Sequence, residues 1–301
     1  MTGWIYLHWA FRLLTPYPQA VLNRKRSSVA GFSLDYGLWA FVGAVCHFIF
    51  TLTYIYSDLV HRQFVQRYPL AFEMPSASSI LALIDFNESI VWGICAVQAW
   101  ISYRHTQTSA QSWSLECKVI MGLFFGVLVF LALAVKSHPF AKIPSPPGVG
   151  YLGIKFIDVV DWLGIIGDFS VYARYVPQVS CNWTVQSCVG SSFLLIVLDL
   201  AGAFCGILDV LGAKKAKPTK ERSRNKVVRA VRPSGLFWAC WFRFFWDLVL
   251  LYQQVKYKGS RPLVKRKYVK PVDVEVVAED DDSDEGHRLL HSEELELRNM
   301  A

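Results

Sequence analysis

The chain has 301 residues, of which 53% are hydrophobic and 18% charged, and its mean hydropathy is +0.30. Long apolar runs alternate with short polar ones, which is typical of an integral membrane protein rather than of a soluble one. The formal net charge of +7 does not indicate nucleic-acid binding. The basic residues lie between the apolar runs, where they determine membrane topology.

The apolar runs can be drawn as seven spans, each near the roughly twenty residues that a bilayer requires. They cover residues 3–20, 33–56, 80–103, 117–136, 158–180, 191–212 and 235–256. The loop 23–26 is strongly basic and is therefore expected in the cytosol, which places the N-terminus in the lumen and the C-terminus in the cytosol. Residues 213–234 contain nine Lys or Arg against one Glu, yet the same topology places them in the lumen.

An internal repeat relates the two halves of the chain at an offset of 159 residues. Pro18, Gln19, Asn23, Gly31, Ser33, Gly43, Ala44 and Cys46 recur as Pro177, Gln178, Asn182, Gly190, Ser192, Gly202, Ala203 and Cys205. The repeat predicts an all-α integral membrane protein with seven transmembrane helices, arranged as two parallel three-helix repeats joined by a linker helix. The predicted segments are a first repeat at 1–105, a linker at 106–150, a second repeat at 151–257 and a cytosolic tail at 258–301.

The repeated Pro-Gln pairs are hinge candidates. Proline lacks a backbone donor and clashes with the preceding turn, so Pro18 and Pro177 predict kinks in matching helices. Gln19 and Gln178 belong to the same predicted hinges. An alternative is that the prolines simply end the first and fifth spans.

Two aspartates lie within apolar spans. Asp199 occurs in LLIVLDLAGA and Asp247 in FWDLVLLYQQ. Ionisable groups at this depth are costly and indicate a transport pathway, so both are predicted to bind and release protons. The structural alternatives are a buried pair of Asp199 with Arg174, and a pair of Asp247 with Arg243 one turn earlier on the same helix face.

Other polar residues extend the predicted site. Asp85 and Glu88 are one helical turn apart, so they share a face and one of them is predicted to hold a proton, unless both lie on a solvated rim. Asp35 opens the second span, where it could bind substrate or only complement the helix dipole. Asn182 begins a glycosylation sequon, but we interpret it as a substrate-facing amide because its predicted side is cytosolic.

The motifs resemble those of a known family. Tyr17-Pro18-Gln19 and Val176-Pro177-Gln178 resemble paired PQ-loop motifs, and Gly31–Tyr36, Leu198–Gly202 and Trp246–Val249 with Gln253 resemble cystinosin-like proteins. The resemblance implies a SWEET-like or PQ-loop-like fold and proton-coupled export of cystine from the lumen of a lysosome or vacuole. It also implies a multi-pass membrane protein with protons as coupling ions and no other cofactor or metal.

The resemblance implies that Asp199 and Asp247 couple protons and that Arg174 and Asn182 line the substrate pocket. From the residues themselves, Asp85 is added to the proton-coupling candidates, and Asp35 and Asp199 to the substrate-binding candidates. Three positions depart from the family pattern: Arg174 stands where the family has lysine, Ala40 where it has an amide, and Leu81 where it has an acid. These departures leave the substrate open among cystine, cationic amino acids and other amino acids.

A second hypothesis is a non-transporting membrane adaptor or receptor. Such a protein would bind partners or anionic lipid through its tails and the basic residues 213–234. An adaptor has no need of acids within its spans, so Asp199 and Asp247 favour the transporter. An enzyme is the weakest interpretation, because no nucleophile–base pair and no metal-ligand spacing occurs in the sequence.

The C-terminal tail carries a candidate sorting signal. Residues 271–301 are acidic and polar, a composition that is typical of disorder. Glu285 lies four residues before Leu289-Leu290, which resembles the dileucine signal that clathrin adaptors read for delivery to lysosomes or vacuoles.

Replacement of both Leu289 and Leu290 by alanine is therefore expected to move the protein toward the cell surface. Surface biotinylation of the variant and of the unaltered chain measures this shift. An unchanged distribution would remove the motif from the sorting account.

Overall fold

The computed structural model describes residues 3–68, 78–107, 111, 113–136, 153–215 and 226–258, without the side chains of 213–215 and 226–236. The sorting candidates Glu285, Leu289 and Leu290 lie outside these residues. Ten α-helices occur in the described ranges. They are α1 (Gly3–Leu14), α2 (Tyr17–Lys25), α3 (Leu34–Tyr56), α4 (Asp58–Arg67), α5 (Ser79–Val97), α6 (Leu115–Lys136), α7 (Phe156–Ala173), α8 (Tyr175–Val185), α9 (Phe193–Lys215) and α10 (Lys226–Lys256). A π-helical segment, Gln98–Ser102, continues α5.

Four helical stretches among the described residues are long and apolar enough to cross a membrane. They are Leu34–Tyr56, Ser79–Ser102, Leu115–Val135 and Phe193–Gly212. They coincide with the second, third, fourth and sixth predicted spans, so the helical membrane character is confirmed. The count of seven spans and their arrangement as parallel repeats stay predictions.

The first and fifth predicted spans are each divided into two helices near the repeated proline. α1 ends at Leu14 and α2 begins at Tyr17, while α7 ends at Ala173 and α8 begins at Tyr175. The prolines do not end the chain's helical course, because α2 and α8 both continue beyond them. Proline at the start of a helix is tolerated, since the first N–H groups have no partner within the helix.

The short helix α4 was not predicted. Ser57 caps it by accepting a hydrogen bond from the backbone N–H of Val60. Val60 and Phe64 lie on its buried face and pack against Ile157 and Val160 of α7. The local signal is present in the sequence: a serine followed by an acid starts a helix, and the apolar residues recur four apart.

The core lies between the two halves of the chain. Helix α3 packs against α5 and α7, and α9 packs against α1 and α10. Small residues allow close contact between α3 and α7: a Cβ atom added to Gly43 would lie 2.6 Å from the Cβ of Ser170. The largest core cluster contains Phe32, Tyr36, Trp92, Tyr175, Ile196 and Leu250, which come from both halves.

The two loops that follow α2 and α8 meet through glycine. Gly31 has a positive φ of 81°, which favours glycine. A Cβ atom added to Gly190 would lie 2.0 Å from the carbonyl carbon of Gly31 and 2.2 Å from the backbone nitrogen of Phe32. Both obstacles are backbone atoms, so no side chain can move aside to admit a larger residue.

Gly190→Ala is therefore expected to force the two loops apart and destabilise the protein by about 1–3 kcal/mol, the usual cost of overpacking. A fluorescence melting curve of the purified protein measures this change. Gly126→Ala on α6 is the control, because a Cβ atom at Gly126 would meet nothing within 4 Å. Equal melting temperatures for the two variants would contradict the close approach of the loops.

Candidate functional site

A cluster of charged side chains surrounds Asp199, which is fully buried in α9. Arg174 donates to its Oδ2 at 3.0 Å, and the hydroxyl of Tyr175 donates to the same oxygen at 2.5 Å. Arg243 of α10 donates to its Oδ1. We call these four residues, together with Asp247, the Asp199 cluster.

The sequence left two ion pairs as structural alternatives, Asp199 with Arg174 and Asp247 with Arg243. Asp199 is paired with Arg174, as one alternative proposed. Arg243 does not hydrogen-bond Asp247, although the two are four residues apart on α10; it pairs with Asp199 instead. One carboxylate thus serves two guanidinium groups, and breaking such a buried pair is strongly destabilising.

Asp247 is the unusual member of the Asp199 cluster. Its side chain is fully buried, and neither carboxyl oxygen has a hydrogen-bond partner among the described residues. It lies within electrostatic reach of Asp199, Arg243 and Arg174. A buried carboxylate without hydrogen bonds is costly, whereas the protonated acid is far less so.

Three hydrogen-bond donors beside Asp247 are also buried and unused within the described part of the chain. They are the Nε–H groups of Arg174 and Arg243 and the hydroxyl of Tyr36. The Arg174 guanidinium lies 5.7 Å from the ring centre of Tyr36 and 5.0 Å from that of Tyr175, which is the range of cation–π contacts. The arrangement offers donors to an acceptor group such as a carboxylate.

A second charged cluster involves the first half of the chain. Arg12 of α1 donates to both carboxyl oxygens of Glu88, at 2.9 and 2.8 Å, and to Asp85 at 2.9 Å. The hydroxyl of Thr51 donates to the other oxygen of Asp85 at 2.8 Å. Two carboxylates therefore share one guanidinium, and Asp85 lies in a buried, paired position rather than on a solvated rim.

Asp35 lies in the first turn of α3 but apart from the hydrogen bonds of both clusters. Its carboxylate accepts from the backbone N–H of Ser114, with 3.3 Å to each oxygen. Ser114 immediately precedes α6. Asp35 therefore ties the start of the linker helix to the first half, and its expected role in substrate binding stays a prediction.

The repeated glutamines form an amide network that crosses between the halves. Gln19 accepts from the backbone N–H of Ser192 at 2.9 Å and donates to the carbonyl of Gly190 at 2.9 Å. Gln178 accepts from the backbone N–H of Ser33 at 2.9 Å and donates to the carbonyl of Gly31 at 3.2 Å. Each predicted hinge glutamine thus binds the loop of the opposite half.

Each glutamine also begins a chain of side-chain amides within its own half. Gln19 donates to Asn23, which donates to Gln98. Gln178 donates to Asn182, which donates to Gln253. We call the chain Gln19–Asn23–Gln98 and the chain Gln178–Asn182–Gln253 the first and second amide chains.

Asn182 has both side-chain groups engaged in the second amide chain, and it is fully buried. Its hydrogen bonds go to Gln178 and Gln253 rather than to Arg174 or Asp199, and its expected role in substrate binding stays a prediction. Gln98 and Tyr175 were missed by the sequence analysis. The repeat did not indicate Gln98, because its offset of 159 residues aligns Gln98 with Tyr257 rather than with Gln253.

Metal binding was not predicted from the sequence. Within the described residues, no group of three His, Cys, Asp or Glu side chains is placed to hold a metal ion. The two charged clusters offer carboxylates and guanidinium groups that can bind protons and charged groups.

The chain is similar in sequence to several known proteins. Residues 3–60 match the PQ loop repeat family model. The chain is similar to a putative uncharacterized protein of Saccharomyces cerevisiae, with 29% identity over 80% of this chain and 88% of the relative. It is also similar to a cystinosin homolog of Dictyostelium discoideum, with 24% identity over 69% of this chain and 65% of the relative. Bovine cystinosin is 21% identical over 69% of this chain, and the match covers 51% of the bovine protein. The chain thus spans about half of the length of that relative.

The matched repeat and the helices described above indicate a membrane protein with a PQ loop repeat. The similarity to cystinosins covers about 70% of the chain. Together these findings support a cystinosin-like member of the PQ-loop family.

Proposed function

We propose that the protein is a proton-coupled amino-acid transporter that exports its substrate from the lumen of a lysosome or vacuole to the cytosol. The observation that carries this proposal is Asp247, a buried carboxyl group without hydrogen bonds beside two arginines. The similarity to cystinosins supports the organelle and makes cystine the first substrate to test.

Asp247 is the proton carrier in this proposal. An acidic lumen protonates it, which removes a negative charge from beside Asp199. The two arginines then have only one carboxylate between them, and their remaining positive charge attracts the carboxylate of a substrate. Loss of the proton to the cytosol restores the negative charge of Asp247 and weakens the hold on the substrate.

Asp199 has a different role in this proposal from the one that the sequence suggested. Because it accepts hydrogen bonds from Arg174, Tyr175 and Arg243, it is held in its charged form and orients both guanidinium groups. Asp85 is likewise engaged by Arg12 and Thr51. The predicted role of Asp199 as a proton-coupling acid is tested by the same experiment as that of Asp247, whereas that of Asp85 stays a prediction.

The substrate carboxylate is proposed to meet the unused donors of Arg174, Arg243 and Tyr36. With Asp247 protonated, this region presents donors and a net positive charge. A cationic amino acid would bring a second positive charge to the same place, where like charges repel in a medium of low dielectric constant. Zwitterionic or acidic amino acids are therefore favoured over lysine and arginine.

The amide network is proposed to close the cytosolic end. It joins the loops next to Arg24–Arg26, whose charge places them in the cytosol by the positive-inside rule. Opening requires Gln19 and Gln178 to release the opposite loops. The kinks at Pro18 and Pro177 supply the points about which α2 and α8 move.

Asp247→Asn is expected to abolish substrate accumulation driven by an acidic exterior, the side that corresponds to the lumen, while leaving substrate exchange at equal pH intact. The amide resembles the neutral acid in shape but cannot give up a proton. Radiolabelled cystine in proteoliposomes measures both activities.

The matched variant is Asp199→Asn, which removes the carboxylate that is hydrogen-bonded to two buried guanidinium groups. It is expected to lower stability by about 3–5 kcal/mol and to lose exchange as well as accumulation. A stable Asp199→Asn protein with exchange but no accumulation would instead make Asp199 the proton carrier. Absence of amino-acid transport by the unaltered protein would favour the adaptor hypothesis.

Competition between substrates tests the carboxylate site. Unlabelled lysine or arginine is expected to inhibit transport at least about tenfold more weakly than cystine or glutamate, the range of one charge-assisted hydrogen bond. The measured quantity is the concentration of unlabelled amino acid that halves the uptake of labelled cystine at one fixed pH. Stronger inhibition by lysine than by cystine and glutamate would contradict the site.

A further inference from the structure

The two amide chains end in equivalent glutamines that make the same two hydrogen bonds. Gln98 accepts from Asn23 at 3.1 Å and donates to the carbonyl of Ala20 at 3.1 Å. Gln253 accepts from Asn182 at 3.0 Å and donates to the carbonyl of Val179 at 3.1 Å. The side chains of Gln98 and Gln253 therefore make equivalent local hydrogen bonds.

The helical segments that carry these glutamines differ in the charge of the residue six positions before each glutamine. Asp247 precedes Gln253 by six residues on α10, whereas the uncharged Trp92 precedes Gln98 by six residues on α5. Six residues of α-helix span roughly 9 Å. Helix α10 runs without interruption from Asp247 to Gln253, while Gln98 begins a π-helical segment.

We infer that Gln253 is the positioning residue that links the protonation state of Asp247 to the closure of the amide network, and that Gln98 has no such role. This inference rests on the proton coupling proposed above. Gln253 joins α10 to Asn182 and Val179 of α8, and Asn182 accepts from Gln178, which holds the loop of the opposite half. A movement of α10 is thereby passed to the loop at Gly31 through three side chains.

A change of charge at Asp247 acts on α10 because charged and titratable groups face it from every helix around it. Arg174 and Tyr175 lie where α7 meets α8, Asp199 lies on α9, and Tyr36 lies on α3. Arg243 is on α10 itself. Protonation of Asp247 removes its repulsion from Asp199 and its attraction to both arginines, so the balance of forces on α10 changes.

The mechanical link is short and its parts are rigid. Leu250, between Asp247 and Gln253, is almost fully buried and belongs to the same core cluster as Tyr36 and Tyr175. An α-helix packed in a core moves as a body rather than bending at each residue. Gln253 is therefore displaced whenever α10 shifts near Asp247.

The test uses Gln253→Met and Gln98→Met in full-length protein reconstituted in proteoliposomes. Methionine has a similar length and removes the same two hydrogen bonds in each case. Uptake of radiolabelled cystine and, separately, glutamate is measured as a function of external pH, together with exchange at equal pH. The exterior corresponds to the lumen in this assay. A purely structural role would change both variants alike.

The expected result is that Gln253→Met retains exchange but loses most of its dependence on external pH, with accumulation reduced at least about fivefold. Gln98→Met is expected to keep the pH profile of the unaltered protein, although its rate changes. Equal pH profiles for the two variants would overturn the inference. Absence of pH-driven uptake by the unaltered protein would instead overturn the proposed function. Failure of the inference and failure of the proposed function are therefore distinguishable.

A second measurement applies if Gln253→Met does not fold. Spin labels at the exposed Ser27 and Gln186, equivalent residues at the ends of α2 and α8, report the separation of the two halves at the amide network. The distance distribution is expected to change with pH in the otherwise unaltered protein and not in Asp247→Asn. A pH response that persists in Asp247→Asn would overturn the link between Asp247 and closure.

Discussion

Backbone groups inside an apolar structure must find hydrogen-bond partners, and here each half of the chain supplies those partners to the other. Gln19 and Gln178 use one side-chain amide each to satisfy an N–H and a carbonyl of the opposite loop. The two N–H groups belong to Ser192 and Ser33, which stand at the starts of α9 and α3. Because an unpaired buried amide is costly, the two loops are held together as a unit or released as a unit.

The amide contacts are the same in the two halves of the chain, but the charged residues are not. Asp199 aligns with Ala40 at the offset of the repeat, and Asp247 aligns with Trp92 when the last helices are matched through Gln253 and Gln98. The second half therefore holds the Asp199 cluster, while the first half contributes Arg12 and its two acids. In the proposed transport cycle, this combination of symmetric amide contacts and asymmetric charges lets one half respond to protons while both halves move.

The sequence predicted those features that depend on local pattern. Apolar runs predicted α3, α5, α6 and α9 within a few residues, because the bilayer fixes the length of such helices. The offset of the repeat located Gln19 and Gln178. The short helix α4 was missed because its few apolar residues stand among charged ones.

Partners across space could not be predicted in the same way. The spacing of Arg243 and Asp247 suggested a pair within α10, yet the long arginine side chain reaches Asp199 on α9 instead. Likewise, nothing in the Pro-Gln motif indicates that its amide binds the opposite loop rather than its own. Such choices depend on how helices rotate against one another, which periodicity alone does not determine.

The crossed glutamines also bear on how the protein is made. Gln19 binds the backbone N–H of Ser192, which lies 173 residues later in the chain. The backbone N–H of Ser33 binds Gln178, which lies 145 residues later. During synthesis the first half therefore enters the bilayer with its loop amides unsatisfied by protein. The network forms only after translation has passed residue 192, so it is a late event in biogenesis, and a ribosome that stops earlier leaves a fragment that exposes these polar groups to membrane quality control.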